Sequence, residues 1–210
     1  MTRAVLFDLD GTLVDTLHDI AEAMNQVLEA AGLPVLPIDA YREHVGWGAR
    51  DLVVRALPEA ERPNTDAHLN AFRDRYYAHP VGSSALYPGI AELLTELEER
   101  QVPMAILTNK PEQPALVVVE ALLAEVPFRF VRGAREGVPR KPDPTALVEL
   151  AAAMNVAPTD CLYLGDTEVD IQAASAAAMT PIGVTWGFRP DSVQAAPHIL
   201  DSPLDLLPLI

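Results

Sequence analysis

Five short apolar runs punctuate the chain, at residues 4–7, 104–107, 128–131, 161–164 and 181–185, each followed by polar or turn residues. Runs this short and this uniformly apolar predict strands buried on both faces, as in a parallel sheet. Segments of helical period lie between them. Ile90, Leu93, Leu94 and Leu97 recur at helical spacing within 88–101. Asp143-Pro144 offers an N-cap followed by proline at the first helical position, ahead of a helix over 145–154. Strands alternating with helices predict an α/β fold: a Rossmann-like, three-layer parallel-sheet core.

The spacing of the strands is uneven. Far more chain separates residue 7 from residue 104 than a crossover helix needs, and that chain is helical in pattern. Leu17, Ile20, Ala21, Met24, Val27, Leu28 and Ala31 form an apolar stripe that stops at Gly32. Further helices are predicted over 49–56 and about 65–79, and 81–84 reads as a return linker. The expected organisation is therefore a core made of 1–15 and 85–210, interrupted by an inserted all-α cap over 16–84.

Composition narrows the possible functions. Of 210 residues, 50% are hydrophobic and 21% charged, enough to bury a substantial core. Thirty acidic against fifteen basic residues leave a formal charge of −15. That field repels polyanions and argues against nucleic acid or an anionic membrane as partner. The single cysteine, Cys161, excludes an intrachain disulfide and falls in a predicted buried strand. The apolar run at 4–7 is too short for a signal segment, and none approaches the roughly 18 residues of a membrane helix. A cytoplasmic protein, monomer or homodimer, is expected.

The chemistry gathers at predicted strand ends. The first strand delivers Asp8, with Asp10 two residues on and Gly11 allowing a sharp exit. In an open α/β sheet this is where ligands bind. Two carboxylates so close repel unless a cation or shared proton relieves them, which points to metal binding or acid/base work. A turn or N-cap cluster is the alternative at this point. A calcium loop is not: counting from Asp8 puts Thr12 and Leu13 where an acidic ligand and a glycine belong. Thr108, Asn109 and Lys110 follow the second strand, Lys141 precedes a helix, and Gly165-Asp166 with Asp170 follows the fourth strand.

Asp8-Leu9-Asp10-Gly11-Thr12-Leu13-Val14-Asp15-Thr16, Thr108-Asn109, Lys141-Pro142 and Gly165-Asp166 with Asp170 resemble the four ordered motifs of the haloacid dehalogenase superfamily. The helical insertion resembles that superfamily's cap. The strings Thr108-Asn109-Lys110-Pro111, Val45-Gly46-Trp47-Gly48-Ala49 and Thr185-Trp186-Gly187 resemble its phosphoglycolate phosphatase-like members. The resemblance implies a phosphatase working through an aspartyl-phosphate on Asp8. Mg²⁺ would be held by the Asp8 and Asp166 carboxylates and the Asp10 backbone carbonyl. The Asp10 side chain would serve as general acid and base, and Thr108, Asn109 and Lys141 would hold the substrate phosphate. Asp170 would orient Lys141 or a metal-bound water.

Dehalogenating relatives lack an acid at the second position, so Asp10 favours phosphoryl transfer. Arg50 and Lys110 are the candidates for contacting the rest of the substrate, with Arg42, His44 and Arg55 weaker ones, while Trp47 is expected in the core. The implied partner is a small phosphate ester, 2-phosphoglycolate first. A sugar-phosphate phosphatase, a phosphosugar mutase, a nucleotidase and a pyrophosphatase are alternatives on the same scaffold. A receiver-type phospho-switch is the rival of another class, disfavoured by the acid pair on the first strand and the long insertion.

Overall fold

The computed structural model describes residues 4–210; residues 1–3, the start of the expected core segment, lie outside them. Along the chain run β1 (Ala4–Phe7), β2 (Val14–Asp15), α1 (Leu17–Ala30), α2 (Ala49–Ala56) and α3 (Thr65–Ala78). After these come β3 (Ala85–Leu86), α4 (Ile90–Glu99), β4 (Met104–Pro111), α5 (Glu112–Leu123), β5 (Phe130–Ala134) and α6 (Thr145–Ala153). β6 (Cys161–Gly165), α7 (Glu168–Ala176), β7 (Thr180–Val184) and β8 (His198–Leu200) complete the fold. Six strands make one parallel sheet in the order β5-β4-β1-β6-β7-β8, with β1 pairing Val5 to Met104 on one side and Ala4 to Cys161 on the other.

Alternation along the strands explains the three layers. Val5, Phe7, Met104 and Ile106 face one way and pack on α4 and α5 through Leu93, Leu97 and Val118. Ala4, Leu6, Ala105 and Tyr163 face the other way and pack on α6 and α7 through Leu147, Leu150 and Ala173. A strand clothed on both faces has no polar side, which is why its sequence reads as an unbroken apolar run.

Residues 17–78 form a helical lobe with a hydrophobic cluster of its own, including Met24, Leu28, Val53, Leu69 and Phe72. A two-stranded antiparallel ribbon, β2 with β3, stands at its base and pairs Val14 with Leu86. Some boundaries differ from expectation. The strand expected at 128–131 begins two residues later, because Phe128 turns inward to pack edge-on against Phe7, ring centroids 6.3 Å apart. β4 continues beyond Leu107 to Pro111, with an irregular register against β5. The helix expected at 145 does begin there, but Pro144 is its cap residue and Asp143 accepts the Thr145 N–H at 2.9 Å.

Candidate active site

Asp8 sits one residue beyond β1, held in the sheet's pattern by its N–H on the Leu164 carbonyl at 2.9 Å. Asp166 follows β6, and Asp170 lies in the first turn of α7, where its Oδ2 accepts the N–H of Thr167 at 3.1 Å and the Thr167 hydroxyl at 2.6 Å. Oxygens of Asp8, Asp166 and Asp170 lie within 4.8 Å of one another, and all three residues are buried. Lys141 enters this cluster from the loop before α6. Its ammonium reaches Asp8 Oδ1 at 3.0 Å, Asp170 Oδ1 at 2.6 Å and the Tyr163 hydroxyl at 2.7 Å.

Three carboxylates around one ammonium leave the cluster short of positive charge. Burial pushes the Asp8 carboxyl upward, with repulsion from Asp170 and Asp10 adding to it and Lys141 opposing. Asp166 is driven well above the usual carboxylate range by burial first and then by Asp170 and Asp8, against the Phe188 N–H and Lys141. A buried, oxygen-only donor set that stays under repulsion fits a hard divalent cation such as Mg²⁺. Gly11 makes the approach possible. Its φ is +81°, and a Cβ there would stand 2.2 Å from Asp166 Oδ2.

Asp10 is placed differently. Its carboxylate accepts the Thr16 hydroxyl at 2.8 Å and pairs with Lys110 Nζ at 2.9 and 3.1 Å. The same ammonium donates to the hydroxyl of Tyr76 on α3. Asn109 joins the sheet to the helical lobe. Its amide donates to the Gly46 carbonyl at 2.9 Å and the Lys141 carbonyl at 3.0 Å, and its Oδ1 accepts the Lys141 N–H at 3.0 Å. The Asn109 side chain thus links the backbone of Gly46 in the lobe to that of Lys141 in the core. Asp8, Asp10 and Thr108 on the sheet side, and Ile20, Leu52 and Phe72 on the lobe side, enclose a cavity of 40 Å³. That is room for about three water molecules.

The structure brings together Asp8, Asp10, Thr108, Asn109, Lys110, Lys141, Asp166 and Asp170, and leaves Arg50 out. Arg50 is exposed on α2 and paired with Asp66 on α3. Arg42 and Arg55 turn to the carbonyls of Gly187 and Glu43, each at 3.4 Å. The His44 Nδ1 has no partner among the described residues. Trp47, expected in the core, is only half-buried and belongs to none of the core clusters. Sequence reasoning missed Tyr163, Tyr76 and Phe188. A tyrosine in an otherwise aliphatic strand, two residues before Gly165, was a usable signal, because a buried phenol needs a polar partner. The other two left no signal along the chain.

A parallel sheet with a lysine-compensated acid cluster at its strand ends, roofed by helices, defines an α/β protein whose site lies at the sheet edge. Residues 2–178 match the model of the haloacid dehalogenase-like hydrolase family, and the chain belongs to that family. It is a phosphoric monoester hydrolase. Phosphoglycolate phosphatase 1 of Pseudomonas aeruginosa is 35% identical over 99% of this chain and 79% of its own length. The phosphoglycolate phosphatase of Chromobacterium violaceum is 33% identical over 99% of this chain and 96% of its own. A solved structure from Lactobacillus delbrueckii subsp. bulgaricus superposes with a TM-score of 0.90 at 30% identity, covering 98% of this chain and 96% of that one. No described helix is long and apolar enough to cross a membrane.

Proposed function

We propose that the protein is a Mg²⁺-dependent phosphatase that hydrolyses 2-phosphoglycolate to glycolate and inorganic phosphate through an aspartyl-phosphate on Asp8. The observation that carries this reading is the buried triad of Asp8, Asp166 and Asp170 beside Lys141, with a second acid, Asp10, two residues from the nucleophile. The likeness to enzymes named phosphoglycolate phosphatase supports the choice of substrate. The Asp8 and Asp166 carboxylates and the Asp10 main-chain carbonyl would hold Mg²⁺, which would supply positive charge that lets a carboxylate approach a phosphate dianion.

The chain's own groups account for the rest. A carboxylate oxygen of Asp8 forms a bond to phosphorus as the ester P–O bond breaks. The carboxyl of Asp10 gives its proton to the departing alkoxide. Asp10, now a carboxylate, takes a proton from the water that attacks the phosphorus, and the acyl-phosphate P–O bond breaks to release phosphate and Asp8. The Thr108 hydroxyl and Lys141 hold the phosphoryl oxygens by preorganised donors. Asp170 keeps Lys141 in place.

The helical residues 16–84 act as a cap in this reading. Closure of such a cap over the cavity between sheet and lobe would exclude water from the reacting phosphate. Of the two cations expected to contact the rest of the substrate, Lys110 lines this cavity and Arg50 does not, so that contact is assigned to Lys110.

A panel of phosphate esters assayed with and without Mg²⁺ tests the proposal. The expected result is metal-dependent turnover with 2-phosphoglycolate highest in kcat/KM, abolished in Asp8→Asn. A rank among the poorest substrates would overturn the substrate assignment, and turnover that persists in Asp8→Asn would overturn the mechanism.

A further inference from the structure

The loop that follows β7 touches both the acid cluster and the helical lobe. Trp186 Nε1 donates to the Thr12 carbonyl at 3.0 Å, anchoring the loop beside the turn that follows Asp10. Gly187 lies so close to the cluster that a Cβ there would stand 2.3 Å from Asp166 Cβ and 2.3 Å from the Gly11 carbonyl oxygen. The Phe188 N–H donates to Asp166 Oδ2 at 2.8 Å. The Phe188 side chain then departs from the α/β core altogether. It is 3% exposed and sits in the hydrophobic cluster of the lobe, whose other buried members all come from residues 17–76. Flanking contacts repeat the crossing. Arg42 of the lobe donates to the Gly187 carbonyl at 3.4 Å, and Arg189 pairs with Glu168 at 3.0 Å while packing against Gly46 of the lobe.

One residue therefore has its backbone on a candidate metal ligand and its ring in the cap. We infer that Phe188 is a positioning residue that makes cap closure and metal binding a single coupled equilibrium. The inference rests on the metal-dependent reading above. A donor on Oδ2 fixes the rotation of the Asp166 carboxylate and leaves Oδ1, whose hydrogen-bond contact among the described residues is a 3.5 Å approach of the Thr12 hydroxyl, for the cation. Outer donors of this kind change metal affinity about 10–100-fold. When the cap lifts, Phe188 must either leave the cap's core or carry its N–H away from Asp166. By linkage, the factor by which closure tightens Mg²⁺ binding equals the factor by which Mg²⁺ favours closure.

Two measurements on the full chain test this: Mg²⁺ binding by titration calorimetry, and hydrogen exchange of residues 81–84 and α1 with and without the metal. In the wild type, Mg²⁺ should increase protection of these segments. Phe188→Ala should bind Mg²⁺ about 10-fold more weakly and lose that response. Phe188→Leu, which still fills the cap's core, should restore most of both. Wild-type Mg²⁺ binding with no change in cap protection overturns the coupling, whether or not Phe188→Ala folds. So does a folded Phe188→Ala that binds the metal as tightly as wild type. Absence of Mg²⁺ binding in the wild type sinks the metal reading itself, a distinguishable outcome.

Discussion

The two lysines of the site have the same chemistry and opposite attachments. Lys141 directs its three donors to Asp8, Asp170 and Tyr163, all in the α/β core, so it is fixed with the sheet. Lys110 joins Asp10 in the core to Tyr76 in the helical lobe. Burial opposes its charge, but the neighbouring Asp10 carboxylate and Tyr76 hydroxyl raise its proton affinity above that of an ordinary lysine, so it stays an ammonium. Removing this cation strands Asp10 as a buried charge. Lys110→Met should lose about 3–5 kcal/mol of folding stability in urea denaturation. Tyr76→Phe, which removes one hydroxyl and leaves the ion pair, should lose about 1 kcal/mol. A loss in Lys110→Met no larger than in Tyr76→Phe would show that the pair is not holding Asp10. The proton-transfer role has its own test: Asp10→Asn should lower kcat about 10²–10⁴-fold in steady-state turnover, and a kcat equal to wild type would remove the acid/base assignment.

Elements are positioned by what their neighbours can tolerate, and Gly11 is the sharpest instance. It follows Asp10 with φ at +81°, and Asp166 fills the space a side chain would need. Gly11→Ala should cost about 1–3 kcal/mol for the backbone alone and displace Asp166 as well. The measurements are the melting temperature and Mg²⁺ affinity, and both should fall; a fall in stability alone would separate the turn from the ligand. The same element-level logic decides what could be read in advance. β1, β4, β6 and β7 were legible because strands buried on both faces show as apolar runs. β8 was not, since His198 and Ile199 are exposed and only Leu200 is buried. The β2–β3 ribbon is two residues long per strand and has no periodicity to detect. Asp8, Asp10, Thr108, Asn109 and Asp166 were legible because they lie at or just beyond the ends of strands, and parallel strands end at one edge, while Lys141 was legible as a lysine shortly before a helix. The contacts of Tyr76 with Lys110, and of Phe188 with both Asp166 and the cap, were not. They depend on how the lobe docks, and no spacing along the chain encodes that.

For the molecule as a whole, docking depends on the two crossings between lobe and core, at residues 15–17 and 83–85. One carboxylate ties them together. Asp19, in the first turn of α1, accepts the N–H groups of Gly82, Ser83 and Ser84 at 2.9, 2.8 and 2.9 Å, and both serine hydroxyls besides. Burial works against its charge, but the Ser84 hydroxyl and the Ser83 and Gly82 N–H groups outweigh it and hold the carboxyl at about 2, below its ordinary 3.8. A group whose affinity for protons falls on folding stabilises the fold above its unfolded value and ceases to do so as acid protonates it. Here that contribution is complete above about pH 4 and disappears as the pH falls towards 2. Asp19→Asn presents an amide to donors that need an acceptor, and should lose about 1.5–3 kcal/mol at neutral pH. The diagnostic quantity is the difference in melting temperature between wild type and variant. It should be constant from pH 7 down to about pH 4 and shrink below that as protonation weakens the wild-type tie. A difference that persists unchanged to the acid limit would mean that the five donors bind the neutral carboxyl equally well, and that the joint between cap and core does not depend on charge.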